Sequence, residues 1–170
     1  RRIPDADALV RLRRQRADEV RHAALYEAYL AEVGDLAPMD RAIASAIDRA
    51  LAWEGAPEAV VAVLNIVLEG ESVALHGDAI EVFACPALCA IAGAVRRDEA
   101  RHVAFGRDYL ARRAPALSVD ERDAIVDLTR AVWADAMRTS IVGGPLAGVA
   151  RRAVRAYMIE RWASHLRALT

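Results

Sequence analysis

The sequence predicts an all-α helical bundle of about six helices, in a single domain over residues 1–170. Three observations predict it. Helical periodicity runs through every long segment, and no sustained period-2 alternation occurs. Pro4, Pro38, Pro57, Pro86, Pro115 and Pro145 each sit near the start of such a segment, where a missing N–H costs nothing. With 170 residues and 55% hydrophobic content, the chain can bury a core, and short loops make sequential helices antiparallel neighbours.

The first helix, about 5–32, carries charge on one side and Leu9, Val10, Val20, Leu25 and Tyr29 among its apolar positions. Asp35 marks the turn before the second, about 38–53. The third, about 56–76, contains "AVVAVLNIVLEG" at 59–70, and the fourth, about 82–112, opens with "VFACPALCAIAGAV" at 82–95. Both stretches are apolar nearly all round, which places them centrally in a bundle. Ser118 caps the fifth, about 118–140, and Gly143-Gly144 separates it from the sixth, about 145–168.

The net charge is −1, with acids and bases interspersed. No basic stripe stands out, so nucleic acid is not an expected partner. The longest uncharged run, Val82–Val95, is too short for a membrane span, so no membrane association is expected either. The opening "RRIPDADALVRLRRQR" lacks the apolar core of a signal peptide. Cys85 and Cys89, four apart on a helix, read as reduced core thiols, which points to the cytoplasm.

The chemistry lies in a repeated spelling. "DEVRH" at 18–22 returns as "DEARH" at 98–102. Glu19 and His22 are three apart, as are Glu99 and His102, so on a helix each pair points one way. Mixed oxygen and nitrogen donors suit iron or manganese. Two such motifs on facing helices supply ligands for two metals. Glu69 ends the apolar run Ala59–Leu68; burying an ionised carboxylate without a partner costs several kcal/mol, a difficulty that a buried dication removes. Glu71, two positions on, is expected to face solvent. His76, before Gly77, reads as a cap or surface residue, and His165 as structural.

In this order, "DEVRH", "LEG" and "DEARH" resemble the ferritin-like di-iron carboxylate superfamily, whose core takes a Glu from each of two helices and a Glu-x-x-His from each of the other two. The "DExRH" spelling is most similar to its oxygenase branches, the bacterial multicomponent monooxygenases and the oxidases similar to ribonucleotide reductase small subunits. The resemblance covers about residues 15–110. It implies that Glu19 and His22 hold one metal and Glu99 and His102 the other, with Glu69 bridging or binding beside Glu99. Asp18 and Asp98 match aspartates that each accept a hydrogen bond from a ligand imidazole, that of the opposite motif. Arg21 and Arg101 would pair with neighbouring acids. Tyr26 stands where the reductase subunits carry a redox-active tyrosine; its other reading is a core aromatic.

One departure stands out. The family pattern begins with a helix carrying Glu or Asp, well before the first Glu-x-x-His. Here the residues preceding Glu19 belong to its own helix, and Asp5 and Asp7 lie about three turns away or more. The expectation is therefore a fragment whose first ligand helix lies elsewhere, or an incomplete site.

The resemblance implies an oxidoreductase, a di-iron-type oxygenase or oxidase, that activates O₂ at a Fe/Fe or Mn/Fe centre toward an apolar or amphipathic substrate. Ala62, Leu88, Ala92 and Val95 would line the substrate pocket; their other reading is simple close packing. An electron-donor protein and a homodimer are the expected partners. The competing readings are a ferroxidase or other iron-handling protein, and a metal-free helical interaction domain.

Overall fold

The computed structural model describes residues 3, 5–34, 39–142, 159–160, 162–163 and 167. Among these the chain is all-α, with no strand. Five helices follow in order: α1 (Ala6–Val33), α2 (Arg41–Leu51), α3 (Glu58–Val82), α4 (Pro86–Arg113) and α5 (Val119–Val142). The expected sixth helix, Asp35 and Gly143-Gly144 lie outside the described residues, apart from the few positions near 160.

Local chemistry sets the helix ends. The Asp5 carboxylate accepts from the backbone N–H groups of Asp7 and Ala8 at 2.9 and 3.1 Å and so caps α1. Asp40 does the same for α2. Ser118 opens α5 as half of a reciprocal box: the Glu121 N–H donates to the Ser118 hydroxyl at 3.2 Å, and the Ser118 N–H donates to the Glu121 carboxylate at 2.8 Å.

Two boundaries differ from the sequence reading. The apolar stretch at 82–95 is not one helix. Val82 ends α3, residues 83–85 are non-helical, and Pro86 is the first residue of α4. Proline disfavours helical backbone at the residue before it and cannot accept a continuing helix, so the break falls there. The third helix accordingly runs six residues past 76, and its middle, Ala62–Leu68, is π-helical. By length and composition α3 is apolar enough to cross a membrane, with a mean hydropathy of 1.5 over its most apolar window. Glu58 and Glu71 are buried along it, together with Ala59, Val61, Ala62, Val63, Ile66 and Val67.

The chain folds as two compact units. The first comprises residues 1–38 and 69–105. Within it, Asp18 meets His102 and Asp98 meets His22, so α1 and the first part of α4 run antiparallel. Glu69 meets His102 and Ser72 meets Glu99, so the second half of α3 also runs antiparallel to α4. Apart from Ala8, the one residue of α1 that is fully buried is His22; Leu9, Val10 and Val20 are exposed.

The second unit comprises residues 39–68 and 106–170. Its core includes Val67, Trp133 and Met137, with the Trp162 ring 5.4 Å from that of Trp133. Glu58, only 1% exposed, accepts from the Arg113 Nε–H at 2.7 Å. Gly106 marks a close approach: a Cβ there would lie 2.6 Å from the Asn65 Cβ and 3.2 Å from the Ile66 Cδ1. Gly106→Ala is therefore expected to destabilise the fold, because overpacking costs about 1–3 kcal/mol while better helix propensity returns at most about 1. Denaturant midpoints check this, and a midpoint raised by the substitution would refute it.

Candidate metal centre

The first unit gathers the acids and imidazoles of the repeated motif. Donor atoms of Glu19, Glu69, Glu99 and His102 all lie within 4.8 Å of one another. His102 Nδ1 stands 3.4 Å from Glu19 Oε1, 3.6 Å from Glu69 Oε2 and 3.5 Å from Glu99 Oε2. His22 joins from the other side, its Nδ1 3.5 Å from Glu19 Oε2 and 3.8 Å from Glu99 Oε1. The two rings are 6.4 Å apart between centroids. Glu19 and Glu99 thus each stand between both imidazoles, while Glu69 lies against His102.

Each imidazole is held from behind by the aspartate of the other motif. The His22 Nε2–H donates to Asp98 Oδ2 at 3.1 Å, and the His102 Nε2–H to Asp18 Oδ2 at 3.2 Å. These assignments follow from the bonding geometry. They leave each Nδ1 turned toward the carboxylates. Arg21 bonds both aspartates, and Arg101 pairs with both from the exposed side. Burial would raise the Asp98 carboxyl, but Arg21, His22 and Arg101 hold it well below the usual carboxylate range. Arg21 likewise lowers Asp18.

Burial and crowding act on the inner groups. Burial pushes the Glu69 carboxyl up to about 7, against the pull of His102. Burial would lower His102, yet Glu69 and Glu99 raise it to about 10. Burial and the Glu99 charge raise Glu19. The donor set fits a small cation. Metal–ligand bonds of about 2.0–2.2 Å put neighbouring donors about 3 Å apart and opposed ones a little over 4 Å, and the cluster spans that range. His22 Nδ1 and Glu99 Oε2, both buried, have no hydrogen bond among the described residues. An imidazole lone pair facing carboxylate oxygens is repulsive unless a cation or proton lies between them.

Four residues add to what the motif spelling suggests. The Gln15 amide donates to Glu69 Oε1. The Ser72 hydroxyl donates to Glu99 Oε1 at 3.2 Å, and His76 Nδ1 lies 2.6 Å from the Ser72 carbonyl oxygen and 3.1 Å from its hydroxyl. His76 is thus mid-helix and part of the surroundings of Glu99, not a helix cap. The Tyr26 ring lies 5.9 Å from that of His76, and burial with the Glu99 charge raises its hydroxyl. Glu71 is 4% exposed rather than solvated. A helix covered on several sides buries residues two apart, which a single-face argument does not allow for.

Gln15 and Ser72 were within reach of the sequence: Gln15 is one turn before Glu19, and Ser72 three residues after Glu69, each on a ligand face. Of the four residues expected to line an apolar pocket, Leu88 is half-buried and the other three are closed off. Ala62, Ala92 and Val95 are at most 1% exposed, so small side chains serve close packing there. A pocket of about 510 Å³ opens instead beside Asp18 and His102, between α1 and α4. Cys85 and Cys89 are both free thiols. Comparison with family models, curated proteins and solved structures finds no match for this chain.

Proposed function

We propose that this cluster is the dinuclear metal centre of an O₂-activating oxidoreductase of the ferritin-like di-iron type, with iron, or manganese and iron, as its metals. The single observation that carries the reading is the crossed arrangement of the two histidines, each held at Nε2 by an aspartate and turned at Nδ1 toward shared glutamates. His102 with Glu19, Glu69 and Glu99 would hold one ion, and His22 with Glu19 and Glu99 the second. When bound, such a pair supplies the electrons that O₂ takes up in attacking an organic substrate. An electron-donor protein would replace them.

The chain's own residues have separate tasks. Asp18 and Asp98 fix the imidazole tautomers and make the rings more basic. Arg21 and Arg101 keep those aspartates ionised. Glu19 and Glu99, each facing both imidazoles, would be available as ligands to either ion. Ser72 and His76 form a hydrogen-bonded path along which a proton can reach or leave Glu99 Oε1.

Elemental analysis of the purified protein tests the reading. One to two iron or manganese ions per chain are expected, and fewer than about 0.2 would sink it. Iron handling is the second reading, favoured by Glu19, whose side chain is 47% exposed and opens the cluster to solvent. A cage-sized assembly in solution would select it.

Metal uptake should also release protons. Burial pushes Glu69 up to about 7 and neighbouring carboxylates push His102 up to about 10, and both must be deprotonated to bind. Apparent Mn²⁺ affinity should therefore rise with pH, by at least about tenfold per unit, and more steeply on the acid side where more than one ligand holds a proton. Titrations between pH 6 and 8 measure the slope; an affinity that does not change with pH contradicts the assignment.

A further inference from the structure

The pocket beside the cluster lies on one face of α1. Arg11, Arg14, Gln15 and Asp18 are spaced three, four and seven residues from the first, so they share that face. Across from them on α4 are Arg101 and Phe105. The charges are unequal along its length. At one end Asp18 and Arg101 compensate each other, and His102 looks in from the cluster. At the other end Arg11 and Arg14 take no carboxylate partner among the described residues. Two adjacent guanidiniums on one face suit a carboxylate or phosphate, which they grip through paired N–H groups. From Arg11 to Asp18 is about 10 Å along the helix axis, the reach of a compact organic molecule. The Phe105 ring, 5% exposed, supplies apolar wall along the way.

We infer that this pocket binds a compact organic anion, a carboxylate or phosphate monoester, with its charged end on Arg11 and Arg14 and its apolar body along Phe105 toward His102. The inference deepens the metal-centre reading and rests on it for the ligand's role as substrate. It narrows that substrate to an amphipathic molecule whose anionic end points away from the metals.

Calorimetric titration of the metal-loaded full chain with 3-phenylpropionate, phenyl phosphate, 3-phenylpropanol and inorganic phosphate tests it, with metal content measured on the same samples. Both organic anions are expected to bind at least tenfold more tightly than the neutral alcohol and than inorganic phosphate. The double variant Arg11→Gln/Arg14→Gln should lose that preference with unchanged metal content and helicity. Arg13→Gln, an exposed arginine outside the pocket, should keep it. Equal binding of acid and alcohol, equal binding of inorganic phosphate, or an unaffected double variant would each overturn the proposal. Anion binding by a chain that holds no metal would keep the pocket and sink the metal reading; metal without anion binding would do the reverse.

Discussion

Glu99→Ala is expected to lower the transition-metal content of the purified protein from one or two ions per chain to below about 0.2. Glu99 faces both imidazoles, with Oε1 3.8 Å from His22 Nδ1 and Oε2 3.5 Å from His102 Nδ1. Its loss removes a donor from both candidate positions at once. Glu99 is buried, with Glu19 and Glu69 beside it as like charges and His102 beside it as an opposite one, so its removal both relieves repulsion and loses an attraction. Circular dichroism of the metal-free variant and parent separates loss of metal from loss of fold, and equal helicity is expected. Asp98→Asn gives the graded counterpart: the imidazole keeps its place but loses its charged orienter, and affinity should fall about 10–100-fold. Full metal retention in Glu99→Ala would remove the basis of the proposed function.

Trp133→Ala is expected to cost about 3–5 kcal/mol, the range for emptying a buried aromatic site. Trp133 is 6% exposed and packs with Val67 and Met137, and its ring meets that of Trp162. A loss of that size is a large part of the roughly 5–15 kcal/mol that a domain commands. Urea unfolding should show a lower midpoint at an unchanged slope. A cost under about 1 kcal/mol would mean that the site collapses around the missing ring.

The parts of the fold legible in the sequence are those fixed by spacing on a single helix. Both Glu-x-x-His pairs follow from a three-residue interval, and Glu69 stands out as an acid closing an apolar run. What spacing does not reach depends on neighbours across the fold. Glu71 is buried because of what surrounds α3, not because of its own face. The break at 83–85 carries a local sign, Pro86, yet the apolar composition on both sides reads as continuous. Nothing in "AVLNIVL" at 62–68 distinguishes π-helical from α-helical hydrogen bonding. Open space and close packing read alike in small residues: Ala62, Ala92 and Val95 are closed off by neighbouring side chains, while the pocket beside Asp18 and His102 is lined by long arginines.

The crossed pairs have a consequence for assembly. Asp18 serves His102 and Asp98 serves His22, so α1 and α4 each carry half of both pairs. Sliding one helix past the other by a single turn, about 5.4 Å, breaks the two together, and no intermediate alignment keeps one imidazole oriented while freeing the other. Correct pairing of these helices is therefore all-or-none at the centre. If the centre holds metal as proposed, uptake would be a built-in readout of whether the chain has found its register, and a misaligned chain, however helical, should take up none.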